Sequence, residues 1–293
     1  MFEELKGIQG VRNVKPVIKG NLEKLVELGS QLERDFENRT YFIFEKRPEL
    51  YERVKKADIE YDEQDIQSLV VALSSQETQN PIVRGVYTGA LVSLLTEKNN
   101  KEGRRTIVKL DLAGSEFPYL CARAKYADVL MIKNVKGDSI GRDISCNHGR
   151  AGIVILQDII GDYAGWCMAM NQGQAGIIIL QDINGDNAGD GISADHGQAG
   201  IIILQDITGE YTGLYMIVNY GRAGIISLKN IKLPREHYGY YSLLDKEGKY
   251  SSQIREFTDE MVKKYSESRM TFEKLREEIG EFIKRIKSGG EDV

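Results

Sequence analysis

The chain has 293 residues, 41% apolar and 28% charged, with a formal net charge of −5, the composition of a globular protein with room for one large domain or two modest ones. The acidic balance disfavours nucleic acid as the main partner, because phosphate contacts need clustered Lys and Arg. No apolar run reaches the roughly 18 residues of a membrane span, and the opening "MFEELKGIQG" carries acids where a secretion signal has a basic flank and an apolar stretch, so a cytoplasmic protein is expected.

Residues 1–103 read as a helical region. Helices are predicted in "NLEKLVELGSQLERDFE" from Asn21, "RPELYERVKKA" from Arg47, "DEQDIQSLVVALSSQ" from Asp62 and "NPIVRGVYTGALVSLLTEK" from Asn80. The last has Asn as its cap and Pro81 in its first turn. Gly85, Gly89 and Ser93 form a small-residue stripe at four-residue spacing, which lets another element approach closely.

Residues 104–233 carry a repeat. "GQAGIIILQDI" occurs at Gly173–Ile183 and again at Gly197–Ile207, with "GRAGIVILQDI" at Gly149–Ile159 and a weaker copy from Gly221. Degenerate copies start at Tyr126 and Thr106, for five to six units at a period of 24. Such a period marks stacked supersecondary units, none able to bury its apolar face alone. β-Branched runs bounded by glycine make these units strands. The expected fold is α+β, a right-handed parallel β-solenoid of three-sided, 24-residue coils between helical flanks. Four consecutive apolar residues, as in Ile177–Leu180, mean that both faces of the strand are covered. A second strand is predicted around Ile144 and Cys146, Met168 and Met170, Ile192 and Ala194, and Met216 and Val218.

A tyrosine-rich connector spans 234–250, with Pro234 placed to blunt the open end of the solenoid. Residues 251–289 are amphipathic, with Ile254, Met261, Tyr265, Phe272, Leu275, Ile279, Phe282 and Ile286 on a 3-4 spacing. A continuous helix of about 54 Å would outrun six coils spanning about 29 Å. A break is therefore expected near Ser266–Thr271, with Thr271 capping a second helix.

The stretch from Ala151 to Gly221 contains no Lys or Arg but eight carboxylates. Two ladders account for most of them, Asp158-Asp182-Asp206 and Asp162-Asp186-Glu210. Like charges about 4.8 Å apart cost on the order of 1 kcal/mol in water, so something must offset them. The leading expectation is that each Asp accepts backbone N–H groups at a turn, so that no cofactor is required. The competing reading is a ladder holding Ca²⁺ or another divalent cation on Asp158, Asp182, Asp206, Asp162 and Asp186. A carbohydrate-active enzyme is a further alternative, but its acids would repeat on every rung, whereas an active site breaks a repeat.

The exceptions to the repeat are the interaction candidates. Trp166 stands where other coils have Arg142, Asp190 and Leu214. His196 shares a column with His148 two rungs away, and His237, beside Arg235, lies near several tyrosines as a small-ligand location. The three cysteines, Cys121, Cys146 and Cys167, lack metal or redox spacing and read as buried thiols.

"GDYAGWCM" from Gly161, "GDNAGDGI" from Gly185 and "GEYTGLYM" from Gly209 resemble the units of the GXGXG-type β-helix domain, found at the C-terminus of glutamate synthase large subunits and in one of the subunits of formylmethanofuran dehydrogenase. The likeness spans Gly137–Ile231. It implies a right-handed solenoid with a largely architectural role and carries no catalytic residue over. The functional expectation is a noncatalytic scaffold or interaction module, with a protein partner or a second copy of itself. The alternative is a cation- or small-ligand-binding protein or enzyme using the acidic face or the His237 region.

Overall fold

The computed structural model describes residues 20–36, 43–78, 80–231, 240–245, 250–267 and 270–288. Four N-terminal helices come first: α1 (Asn21–Asp35), α2 (Ile43–Lys56), α3 (Glu63–Ser74) and α4 (Pro81–Lys101). Seven strands follow: β1 (Ile107–Glu116), β2 (Tyr126–Lys136), β3 (Arg150–Ile160), β4 (Gln174–Asn184), β5 (Gln198–Thr208), β6 (Arg222–Ile231) and β7 (Tyr240–Asp245). They form one parallel sheet in chain order. Two helices, α5 (Ser251–Glu267) and α6 (Phe272–Ser288), close the chain. Among the described residues no helix is long and apolar enough to cross a membrane.

The coil length holds at 24 from β2 to β6, where Ala151 pairs with Ala175 and Ala199 with Ala223. The end coils are shorter, with Ile107 opposite Val129 and Arg222 opposite Tyr240, steps of 22 and 18 residues. β7 lies inside the segment expected to be a connector. Pro234 and His237 fall outside the described residues.

Each long strand changes phase twice. Ala151, Val154, Leu156 and Ile159 point into the solenoid core, while Ile153 and Ile155 point outward. Strict alternation would put Ile153 inside and Ile159 outside. The pairing skips Gly152 and Asp158, and these two extra residues reset the alternation as bulges do. Because the coils from β2 to β6 carry the same skips, their ladders stay in register.

The outer face is covered as the sequence requires, and the cover is α5 and α6. Ile153, Ile177, Ile201 and Ile225 pack with Ile254, Met261, Leu275, Ile279 and Phe282 in a second core. The glycine column is the floor of this interface. A Cβ on Gly152 would meet the Tyr265 ring at 2.4 Å, on Gly176 Leu275 at 2.6 Å, on Gly200 Ile279 at 2.8 Å and on Gly224 Ile283 at 2.6 Å. Helix α6 thus sets one side chain per coil. Four helical residues rise about 6 Å against a coil step of about 4.8 Å, so α6 crosses the stack at roughly 35–40°. Between the helices, Thr271 Oγ1 accepts the Lys274 N–H at 3.1 Å as an N-cap, which is how the long amphipathic stretch fits on the short solenoid.

The small-residue stripe of α4 closes the first coil. Gly85 and Gly89 rest on the carbonyls of Tyr119 and Ala122, which an added Cβ would meet at 2.2 Å in each case. Thr88 Oγ1 accepts the Cys121 N–H at 3.0 Å, and Ser93 Oγ accepts the Lys125 N–H at 2.8 Å. Backbone donors that would otherwise be an open edge are satisfied there. A buried Arg84–Glu33 pair at 2.6 Å ties α4 to α1.

The predicted second strand is not formed. The return path of each coil is a succession of tight turns, for example Tyr163 O to Trp166 N, Cys167 O to Met170 N and Met170 O to Gly173 N. In the first two the third residue, Gly165 or Ala169, has positive φ, as in type II turns. In the last, Asn171 and Gln172 both do, as in type I′. A chain of such turns, like a strand, puts every second side chain inward, so Ile144, Met168, Ile192 and Met216 are all buried. That shared period of two is why the sequence pattern reads as a strand.

Candidate functional site

The acidic ladders sort into two architectural roles. Asp138, Asp162 and Asp186 each accept the backbone N–H of the acid one coil further on, Asp162, Asp186 and Glu210, at 3.0, 2.8 and 2.7 Å. This is the expected turn anchor, and Asp138 belongs to it as an extra rung. The other ladder works differently, and the expectation of backbone anchoring is corrected for it. Asp158, Asp182 and Asp206 have φ of 53°, 54° and 53°, as do Asn134 and Asn230 at 53° and 52°. Left-handed backbone costs Asn and Asp less than other residues with a Cβ, so the column holds the residues that best tolerate the strand's second skip. The side chains of Asp182 and Asp206 bond sideways instead. Gln181 donates to Asp182 at 2.9 Å, Gln205 to Asp206 at 2.7 Å and Asn230 to Asp206 at 2.6 Å.

The environments differ along this column. Burial, with Asp182 close by, raises the Asp158 carboxyl above its ordinary range, while hydrogen bonds from Gln205 and Asn230 hold Asp206 below it. Among the described residues no group of three or more His, Cys, Asp or Glu side chains is arranged to hold a metal ion.

The turn side is the more exposed surface. The described large apolar or aromatic side chains left in water are Ile160, Tyr163, Tyr211, Tyr215 and Tyr220. All belong to solenoid columns away from the α5–α6 interface. Coil by coil, the first rung of this face carries Asp138, Ser139 and Arg142, and the second Asp162, Tyr163 and Trp166. The third carries Asp186, Asn187, Asp190 and Gly191, and the fourth Glu210, Tyr211, Leu214 and Tyr215. The third rung is a dip of small side chains between two aromatic rungs, which stand about 10 Å apart at two coil steps.

Trp166 is half-buried at the centre of this face. On one side the Arg142 guanidinium lies over its ring at 3.9 Å from the centroid, a cation–π contact. The Tyr163 ring is tilted against it at 5.6 Å. The indole N–H donates to Asp190 Oδ2 at 3.2 Å. Asp190 Oδ1 is shut from solvent and has no hydrogen-bond partner among the described residues. Burial pushes this carboxyl up to about 6, against the Trp166 bond, which favours the charged form.

The corner beside this face is a polar ladder. Asn171 donates to Asn147, and Asn219 to Asp195 at 2.8 Å. His196 is exposed and stacks on Tyr220 with centroids 5.0 Å apart and planes 13° from parallel. Of the sequence candidates, then, Trp166 and His196 lie on the turn side and its corner, and Asp162 and Asp186 border the Trp166 rung. Asp158, Asp182 and Asp206 sit near the C-terminal ends of their strands, four residues before the turn ladder. Tyr163, Tyr211, Tyr215 and Asp190 were missed, although each breaks its column in the repeat. The thiols of Cys121, Cys146 and Cys167 are buried and unbridged.

A separate crevice of about 120 Å³ lies between the sheet and α5, lined by Gln181, Gln205, Lys229, Arg255, Thr258 and Asp259 among others. No protein-family model, curated protein or solved structure matches the chain.

Proposed function

We propose that this protein is a noncatalytic scaffold, an interaction module that offers the turn face of its solenoid to another protein. The observation that carries the reading is the distribution of exposed aromatics. Helices bury the outer face of the sheet and close the first coil, yet Tyr163, Tyr211 and Tyr215 remain 40%, 52% and 51% exposed on the turn side. Tyrosine and tryptophan grouped on one surface are the composition of protein interfaces. The acid ladders fit the same reading, because both are used by the repeat itself, as anchors of backbone N–H groups or as residues that accept positive φ. The likeness of the repeats to an architectural β-helix domain also supports it. Buried cysteines that form no disulfide suit a reducing compartment, and we place the protein in the cytoplasm.

The partner is another protein rather than a second copy through this face. Two copies meeting here would set carboxylates against carboxylates, a juxtaposition that costs several kcal/mol. The test is proximity labelling in cells with wild type and with a Tyr163→Ser/Tyr211→Ser/Tyr215→Ser variant. The variant is expected to melt within about 2 °C of wild type, since exposed substitutions change stability little, and to lose specific neighbours. Identical neighbour sets would overturn the reading.

A further inference from the structure

The chemistry of the partner follows from what the turn face contains, an inference that rests on the interaction role proposed above. Between Ala151 and Gly221 there is no Lys or Arg. Over the same coils Asp162, Asp186 and Glu210 form a ladder running through the stack, each remaining half-exposed or exposed. Alongside runs the aromatic surface of Tyr163, Trp166, Tyr211 and Tyr215. A surface combining π faces with unneutralised carboxylates selects positive charge on planar or apolar stems.

The chain already shows how this face takes a cation. At the first rung, Arg142 lies over the Trp166 ring at 3.9 Å and pairs with Asp143 at 3.7 Å. Two coils further on, the same column carries Asp190 in place of a cation. Asp190 is bonded to Trp166 through one oxygen and has the other shut from solvent, so its charge acts on a cation at the surface through space. It lies in the dip between the aromatic rungs. A half-buried carboxylate in that position is stabilised by an approaching cation, which gains from the rings on either side of it.

We propose that the turn face is a docking site for a basic segment of a partner protein, whose arginine or lysine side chains enter the dip at Asp190 between the Trp166 and Tyr215 rungs and pair with Asp162, Asp186 and Glu210. Arginine suits it better than lysine, because the guanidinium stacks on an aromatic ring while donating to a carboxylate.

Trp166 is the single tryptophan of the chain, so its emission reports on this site. The probe is an arginine-rich octapeptide, titrated into the full chain by fluorescence and by calorimetry, beside a glutamate-rich octapeptide and a neutral hexasaccharide. The arginine peptide is expected to bind saturably, several-fold more weakly at about 200 mM than at about 50 mM salt because exposed charge pairs are screened. Asp190→Asn and Asp186→Asn/Glu210→Gln should each weaken it at least about five-fold, while Glu281→Gln on α6 leaves it unchanged; calorimetry guards against a direct effect of Asp190→Asn on the fluorophore. Melting curves confirm that each variant is folded. Equal binding by the acid variants, no binding of the arginine peptide, or preference for the hexasaccharide would overturn the proposal. If the triple tyrosine variant loses its cellular neighbours but the arginine peptide does not bind, the interaction role stands and the basic partner fails.

Discussion

The aspartate after each isoleucine run poses the question of chemistry against architecture at the scale of one residue. At φ of 54°, Asp182 stands in a backbone region that costs most side chains about 1 kcal/mol or more. Asn occupies the same place at Asn134 and Asn230, so the charge is dispensable and the conformation is not. Asp182→Asn should melt no lower than wild type, since it keeps the left-handed preference and removes like charge from the column. Asp182→Val should melt lower by an amount equivalent to about 1–2 kcal/mol. Equal melting of the two variants would show that the conformation is not what the column selects.

Asp190 is the opposite case, a charge held where burial opposes it. Its carboxyl is pushed up to about 6 from an ordinary 3.8. The folded chain therefore binds more protons than the unfolded one between these values, and stability present below about pH 4 is lost as the pH rises through about 6. Asp190→Asn keeps an acceptor for the Trp166 indole and removes the titration. Its melting temperature should exceed that of wild type at pH 7 and converge with it near pH 4. A difference that did not vary with pH would refute this account of the residue.

At the scale of elements, the informative contact is α6 against the glycine column. A methyl group on Gly200 would lie 2.5 Å from the Gly176 carbonyl oxygen and 2.8 Å from Ile279. The backbone contact cannot yield without disturbing the ladder, so Gly200→Ala should cost about 1–3 kcal/mol, typical of overpacking. Gly280, on α6 itself, has nothing within 4 Å of an added Cβ. Gly280→Ala should accordingly stabilise by about 0.5–1 kcal/mol through helix propensity. Calorimetric melts of the two variants would show opposite shifts, and shifts of the same sign would contradict this placement of α6. The same interface shows the limit of local pattern. The apolar period of 251–289 marks a buried helical face, but not that Leu275, Ile279 and Ile283 would each take one coil.

For the whole molecule, three physical regularities made most of the fold legible. Self-similarity at a period of 24 residues implies stacking. β-Branched runs imply strands, and an uninterrupted Ile-Ile-Ile-Leu implies cover on both faces. The break at Thr271 followed from comparing two lengths. The turn-built return path was not legible, because turns with positive φ at alternate residues bury side chains with the period of a strand. Nor was the turn face legible as a unit. Tyr163, Tyr211 and Tyr215 each stand out from their columns, but a column gives no sign of whether a helix lies over it.

What the sequence determined by itself is therefore what repeats or what a single residue type enforces: the coil, its inward ladders, the left-handed corners and the caps. What only the tertiary structure decided is which surfaces the flanking helices leave open. Helices α5 and α6 could bury their apolar faces against any complementary surface, because the hydrophobic effect is non-directional. The glycine column selects the sheet, since the absence of a side chain there lets Leu275 and Ile279 reach the backbone. The aromatic, acidic turns are left in water as a consequence, and that is where the protein meets its partner in the function proposed for it.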